Sequence, residues 1–200
     1  LHGDRPAAVD VLKDSLKAFM DLPWVEVLEV DSSPPPRVQG SILSLASTEA
    51  AMAQVEPWGV QNIGATAVRS TFGYRGEGVK IAVLDQAAYV NHPDLSPVSG
   101  CHDSYTGTST CKYDSTSHGT SVMGVIGARD NSLNVVGVAP GVALYSVRVC
   151  IGGDCSSSRI YDGLLWAMIN GIDVVNLSVA NCGGDAPWFV EDLIEDFTDG

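Results

Sequence analysis

The sequence predicts an α/β fold with a mostly parallel sheet and helices on both faces. Three short, nearly all-apolar runs are typical of strands buried on both sides: 79–85 (VKIAVLD), 143–150 (ALYSVRVC) and 172–179 (IDVVNLSV). Residues 158–170, between the last two runs, carry an apolar stripe that ends at Asn170-Gly171 and therefore indicates a helix. Strand, helix, strand units of this kind build an open α/β sheet.

A second helix is predicted after His118, because small residues there would let it pack closely against the sheet. These residues are Gly119, Ser121, Gly124, Gly127 and Ala128. Together with the three strands they place the main domain at residues 53–200.

The pattern of apolar residues in the N-terminal part predicts a small, separate α+β unit over residues 1–31. Residues 7–21 have apolar side chains at helical spacing, and 24–30 (WVEVLEV) alternate as in a strand. Residues 32–52 begin with Ser-Ser-Pro-Pro-Pro and continue in small polar residues, which favours an exposed, cleavable linker.

Composition narrows the class of partner. The chain is 45% hydrophobic and 18% charged, which is ordinary for a packed globular protein. A formal net charge of −13 argues against nucleic acid and anionic membranes, because both require Lys and Arg to neutralise phosphate. No stretch approaches the roughly 18 apolar residues needed to span a bilayer.

The beginning of the chain and its cysteines indicate a secreted protein. The sequence starts at Leu1 without Met and without the order of a signal peptide, so we expect that a preceding segment has been removed. Of the five cysteines, three lie in glycine-rich and polar stretches, and their spacing suits disulfides between Cys101 and Cys111 and between Cys150 and Cys155. Cys182 is then unpaired or bonded to a cysteine beyond the end. Zinc is the alternative, but no CxxC occurs.

Asp85 and His118 are the candidate catalytic residues. Asp85 ends a buried strand, where functional residues of open α/β sheets gather, although an aspartate there can equally cap a turn. His118 opens a helix, a position that a structural histidine also takes. As a pair they fit a serine hydrolase, in which an aspartate orients a histidine that takes a proton from a serine. Ser121 is rejected as that serine, because it lies three residues from His118 on the same helix and leaves no room for a substrate carbonyl.

Four segments resemble the subtilisin-like serine proteases, in the same order and at similar spacing. They are 56–95 (EPWGVQNIGA, GYRGEGVKIAVLD, NHPDL), 117–124 (SHGTSVMG), 136–149 (VGVAPGVALYSVRV) and 173–178 (DVVNLS). Four motifs in register are more specific than one short pattern. The resemblance implies the subtilisin-like fold and a serine endopeptidase that hydrolyses peptide bonds through an acyl-enzyme, with Asp85 as the triad aspartate and His118 as the triad histidine.

The same resemblance implies partners. Residues 1–31 resemble the second half of the family's propeptide, which implies that the protein's own propeptide is an inhibitor, cleaved between Pro36 and Ala53. A protein or peptide substrate would add as a strand along Ser178, Val179 and Ala180 and beside Ser157, with main chain pairing to main chain.

A structural Ca²⁺ is also implied. The family's tight calcium site matches the side chains of Gln54, Asp94 and Asn131 and the backbone carbonyls of Arg129, Leu133 and Val135. Oxygen ligands of this kind suit a hard cation. A plain polar turn at 130–132 is the alternative interpretation.

The sequence departs from the family at three places. Gln86 and Ala87 stand where the family has Ser or Thr and then Gly, so we expect Ala87 to strain or reshape the turn. Ala180 replaces a glycine on the substrate edge. The chain ends at Gly200, before the family's oxyanion-hole asparagine and its Gly-Thr-Ser-Met-Ala motif, and we expect the 200 residues alone to be inactive.

Two other functions remain as alternatives. A catalytically inactive subtilisin-like domain could bind peptides or proteins, with Gln86 and Ala87 as early marks of lost activity. Dinucleotide binding is weaker, because Gly73, Gly76 and Gly78 precede a strand, whereas a phosphate-binding loop follows one.

Overall fold

A computed structural model describes residues 54–112, 118–152, 154–179 and 188–199 of the chain. Its helices are α1 (Trp58–Asn62), α2 (Ala65–Phe72), α3 (His118–Gly127), α4 (Ser157–Ile169) and α5 (Trp188–Asp199). Its strands are β1 (Lys80–Gln86), β2 (Gly100–Asp103), β3 (Ala143–Cys150) and β4 (Val174–Leu177). The predicted N-terminal unit at 1–31 and the linker at 32–52 lie outside the described residues.

The four strands form one parallel sheet in the order β2-β3-β1-β4. β1 and β3 occupy the middle, and residues 80–85 pair in register with 143–148. This arrangement confirms the predicted α/β class and its mostly parallel sheet.

Alternate residues of the middle strands bury on opposite faces of the sheet. Ala82 and Leu84 join a cluster with α4 and α5, whereas Val83 joins a second cluster that contains Met123 of α3. Val147 and Leu144 of β3 divide between the two clusters in the same way. Helices therefore cover both faces, and a fully buried side chain of this size contributes about 1.5–3 kcal/mol to folding.

The predicted elements agree with the observed ones where the apolar pattern was strong. The predicted bounds of β3 match the observed ones, and α4 differs from its prediction by one residue at each end. β4 is shorter than predicted, covering 174–177; Val174 is exposed and the other three residues are half-buried. Four observed elements, α1, α2, α5 and β2, have no counterpart among the predicted ones.

Two disulfides brace the sheet, between Cys101 and Cys111 and between Cys150 and Cys155, and both predicted pairings are confirmed. Cys101 belongs to β2 and Cys150 is the last residue of β3. Cys182 lies outside the described residues. Within the described part of the chain, no helix combines the length and apolar character needed to cross a bilayer.

Candidate active site

Asp85 lies near the carboxyl end of β1, in the middle of the sheet, with its side chain 3% exposed. Burying a carboxylate is costly unless hydrogen bonds replace its water shell. The backbone N–H of Gln86 donates to Asp85 Oδ1 at 2.7 Å, and His118 Nδ1 lies 2.8 Å from both carboxylate oxygens. These contacts hold the carboxylate in one orientation, toward the histidine.

His118 is the first residue of α3, and a glycine brings that helix close to β1. A Cβ atom on Gly119 would lie 2.1 Å from the carbonyl oxygen of Gln86, so only glycine permits this approach. The hydroxyl Oγ1 of Thr120 accepts a hydrogen bond from Tyr89 N at 2.9 Å, which ties the same helical turn to the loop after β1.

The Asp85–His118 contact determines the tautomer of the imidazole. A carboxylate can only accept hydrogen bonds, so Nδ1 carries the proton, and the neutral ring then has its lone pair on Nε2. The side chain of His118 is 40% exposed, unlike that of Asp85. The pair thus presents an oriented base at the surface, fixed from behind by a buried carboxylate.

The turn after β1 does not have the strain expected at Ala87. Among the described residues, only Ser132 and Asn134 combine a side chain with a positive φ, so Ala87 needs no left-handed backbone. Ala88 N donates to the hydroxyl of Ser146 at 3.2 Å, which anchors the turn to β3. A strand irregularity between Asp85 and Gln86 accompanies this turn.

Gln86 is a residue of the site that sequence reasoning treated only as a departure. Its backbone N–H holds Asp85, its carbonyl contacts the Gly119 position, and its side-chain Oε1 is buried with no hydrogen-bond partner in the described structure. No short motif signals these contacts, because two of the three involve the backbone.

The predicted substrate-binding segments flank Asp85 at the carboxyl edge of the sheet. β1 lies between β3, whose chain leads through the Cys150–Cys155 disulfide to Ser157, and β4, which leads to Ser178. Ser157 is buried at the start of α4, and Ser178 and Val179 are half-buried. Ala180 lies outside the described residues. Topology therefore puts the two segments on either side of the Asp–His pair.

A second His–Asp pair lies on β2 and α4. Nε2 of His102 is 2.7 Å from Asp162 Oδ2, and the His102 ring stacks on Trp166 with centroids 5.3 Å apart. Burial opposes ionisation of Asp162, but the hydrogen bond from His102 outweighs it and holds the pKa of Asp162 below its ordinary value. The side chain of His102 is 7% exposed and that of Asp162 is 43% exposed, so here the histidine is buried and the carboxylate faces solvent, the reverse of the first pair.

Oxygen atoms of three predicted calcium ligands lie within 3.5 Å of the side-chain amide of Gln54. Its Nε2 donates to Arg129 O at 2.7 Å and Val135 O at 3.2 Å, and lies 3.5 Å from Asn131 Oδ1. Parallel pairing between Val55 and Val135 holds this part of the chain against the loop. Amide N–H groups and hard cations both bind carbonyl and amide oxygens, so the oxygen atoms of this cluster are of the type that a hard cation prefers.

The two remaining predicted ligands, Asp94 and Leu133, make hydrogen bonds with residues of the loop at 129–135. Asp94 is 2% exposed, and its carboxylate oxygens accept from Asn134 Nδ2 at 3.2 Å and from Val135 N at 3.4 Å. Leu133 makes its contact through N–H, which donates to Asn131 Oδ1 at 3.0 Å. The described residues contain no group of three or more His, Cys, Asp or Glu side chains able to hold a metal, so the donor set is one carboxylate, amides and carbonyls.

Comparison with known proteins places these features in a family. Residues 76–197 match the family described as "Subtilase family". Subtilisin from Bacillus pumilus is 42% identical over 134 residues, covering 66% of this chain and 48% of its own. Subtilisin E from Bacillus subtilis (strain 168) is 42% identical over 134 residues, covering 66% of this chain and 34% of its own. An alkaline protease from Shouchella clausii is 43% identical over 131 residues, covering 65% of this chain and 33% of its own. The chain thus spans half or less of the length of these relatives.

Proposed function

The chain belongs to the subtilase family, and from that premise we propose that it forms part of a serine endopeptidase that hydrolyses peptide bonds in proteins. The observation that carries the proposal is the distance of 2.8 Å from His118 Nδ1 to both oxygens of a buried Asp85. The similarity to subtilisins over about two thirds of the chain supports the same reaction class.

In the proposed mechanism, His118 is the general base and Asp85 its partner. Nε2 of His118 takes the proton of the serine hydroxyl as the oxygen attacks the peptide carbonyl, and then gives it to the leaving amine. The Asp85 carboxylate stabilises the imidazolium formed between these steps. Because Asp85 is almost fully buried, water screens this interaction little. General-base catalysis of this kind typically contributes about 10²–10⁴-fold to the rate.

The proposal assigns the serine nucleophile to a segment outside these 200 residues. Ser121 lies on the same helix as His118, so helix geometry keeps its hydroxyl from facing both the base and a substrate carbonyl. The relatives, which are about two to three times longer than the matched region, leave room for such a segment.

Substrate is proposed to bind as an extended strand between the two segments that flank Asp85. Ser178, Val179 and Ala180 would form one edge, and the segment entering Ser157 the other. Before the second segment, Ile151 and Asp154 exchange two backbone hydrogen bonds of 2.9 Å beside the Cys150–Cys155 disulfide. Main-chain pairing of this kind favours broad peptide binding.

A structural Ca²⁺ is proposed at the oxygen cluster around Gln54. The side chains of Gln54, Asp94 and Asn131 and the carbonyls of Arg129, Leu133 and Val135 would hold it. Such an ion would neutralise the buried Asp94 and join the segment at Gln54 to the loop at 129–135. Its proposed contribution is to stability, not to the chemical step.

Residues 1–31 are proposed as part of an inhibitory propeptide, followed by a cleavable linker at 32–52, so that the enzyme is made as a zymogen. Secretion is proposed as well. Two disulfides support an oxidising compartment, because cytosolic thiols are kept reduced.

The test is activity-based labelling and peptide hydrolysis by the full-length protein. A fluorophosphonate probe should label one serine, and Asp85→Asn should lower kcat by about 10⁴-fold through loss of tautomer control while leaving the fold intact. The matched control is Asp162→Asn, which alters the His102–Asp162 pair on β2 and α4 and should leave kcat within a few-fold of the parent.

Two outcomes would count against the proposal. A full-length protein that takes up no probe but binds peptides would be an inactive binding domain. Equal losses of kcat in the Asp85 and Asp162 variants would mean that the Asp85–His118 pair has no special role.

A further inference from the structure

We infer that the side chain of Arg129 is a positioning residue for the proposed Ca²⁺ site, fixing the loop that supplies several of its oxygen ligands. The inference rests on the calcium part of the proposed function, not on the catalytic part. Arg129 would contribute to the site twice, through its backbone carbonyl as a ligand and through its guanidinium as an anchor.

The guanidinium of Arg129 binds three backbone carbonyls from two other segments. Nη1 donates to Pro140 O at 3.0 Å and to Val142 O at 2.7 Å, and Nη2 donates to Pro97 O at 2.9 Å. Val142 is buried beside β3, and Pro97 follows the loop that carries Asp94. The side chain therefore connects the predicted ligand loop to two fixed parts of the fold.

The backbone of Arg129 lies within the oxygen cluster. Its N–H donates to Asp94 O at 2.7 Å, and its carbonyl accepts from Gln54 Nε2 at 2.7 Å. Any rotation of Arg129 would move a proposed ligand and break the contact with the Asp94 segment. An anchor on this side chain thus acts directly on the geometry of the site.

Electrostatics alone would not place an arginine here, because a guanidinium repels a bound cation. None of the three acceptors is a carboxylate, so the positive charge is not neutralised by these contacts. The favourable contribution must come from the planar, forked arrangement of donors, which a lysine ammonium cannot reproduce. Removing the charge should consequently raise Ca²⁺ affinity if the side chain acts only by repelling the ion, and lower Ca²⁺ affinity if the side chain holds the ligand loop in place.

The experiment measures Ca²⁺ binding by isothermal titration calorimetry in full-length protein carrying His118→Ala, which prevents self-digestion. Arg129→Leu and Arg129→Lys should each weaken Ca²⁺ binding by about 10–100-fold, the usual effect of removing a side chain that orients metal ligands. Thermal unfolding in Ca²⁺ and in EDTA should show a smaller difference in Tm than in the parent.

Arg69→Leu is the matched control. Arg69 also donates to two backbone carbonyls, Gly137 O at 3.0 Å and Val138 O at 2.9 Å, and in addition pairs with Glu56, but its own carbonyl does not face the oxygen cluster. This variant should lower Tm equally in Ca²⁺ and EDTA and leave the Ca²⁺ affinity unchanged.

The inference is overturned if Arg129→Leu binds Ca²⁺ as tightly as the parent or more tightly, or if it lowers Tm equally in both conditions. It is also overturned if the parent binds no Ca²⁺, in which case the calcium proposal fails with it. The endopeptidase proposal would still stand or fall on serine labelling, which does not depend on this measurement.

Discussion

The carbonyl oxygen of Gln86 occupies the space that any side chain at Gly119 would need, with only 2.1 Å between that oxygen and the position of a Cβ atom. This contact lets the first turn of α3 rest on the end of β1. Gln86 follows Asp85 in the sequence and Gly119 follows His118, so the contact between Gln86 and Gly119 sets the distance between Asp85 and His118.

Gly119→Ala should separate the catalytic pair. The added methyl group must displace either the helix or the turn after β1, at a cost of about 1–3 kcal/mol in the free energy of unfolding. Peptide hydrolysis by the full-length protein should fall far more than stability, because His118 moves away from Asp85. Urea denaturation and kcat measure the two effects.

Gly59→Ala is the control for this substitution. Gly59 lies in α1, and a Cβ atom there has no neighbour within 4 Å. Alanine should change stability by less than about 1 kcal/mol and leave kcat unchanged. Similar kcat values for the Gly119 and Gly59 variants would show that the close approach does not set the pair's geometry.

The ion pair between Asp103 and Arg148 should make the fold sensitive to acid. Asp103 is fully buried; burial opposes its ionisation, but hydrogen bonds from Arg148, Thr106 and Tyr105 prevail and hold its pKa below the ordinary 3.8. A carboxyl group with a lowered folded-state pKa stabilises the fold above its unfolded pKa, and this stabilisation is lost as the pH falls through the folded-state value. The free energy of unfolding from urea titrations should thus decrease below about pH 4.

Arg148→Met tests the pair at neutral pH. It leaves the buried carboxylate of Asp103 unpaired and should lower the free energy of unfolding by about 3–5 kcal/mol. Arg75→Met, which removes an exposed pair with Asp130, should cost less than about 1 kcal/mol. Equal losses in the two variants would contradict the assignment of Asp103 and Arg148 as a structural pair.

The two disulfides should protect four cysteines from alkylation. In unreduced, folded protein, mass spectrometry after iodoacetamide should find Cys101, Cys111, Cys150 and Cys155 unmodified. Replacing either pair by serines should lower the free energy of unfolding by about 2–3 kcal/mol, the cost expected from loops of 10 and 5 residues. Labelling of these cysteines without reductant would contradict the pairing.

Chelation should destabilise the protein through Asp94. An ion bound only by the folded state adds about 4 kcal/mol when its concentration is a thousand times its Kd, so EDTA should lower Tm. Asp94→Asn should remove most of this sensitivity. Asp173→Asn, which removes the charge from the acceptor of the hydrogen bond from Lys80 N, should lower Tm equally with and without EDTA. An EDTA effect that survives in Asp94→Asn would place the ion elsewhere.

The sequence was sufficient wherever a local pattern coincided with burial. β1, β3 and α4 were predicted nearly in full, because runs of apolar residues bury on both faces of a sheet and an apolar stripe buries one face of a helix. β2 was missed because its residues, Gly-Cys-His-Asp, have no apolar pattern; Cys101, His102 and Asp103 are buried through a disulfide, a hydrogen bond and an ion pair instead. α5 was missed even though Val190 and Leu193 lie at helical spacing in the core.

For the candidate site, sequence patterns were enough to identify the residues that have the chemistry: Asp85 at a strand end, His118 at a helix start, and the cysteines close enough in the chain to pair. The folded arrangement was needed to show that Asp85 and His118 are within hydrogen-bonding distance and that Ala87 is accommodated without a left-handed backbone. The fold also showed that Gln86 and Arg129 support their neighbours. These contacts join residues distant in the chain, often through backbone atoms that every residue shares, and so no side-chain pattern encodes them.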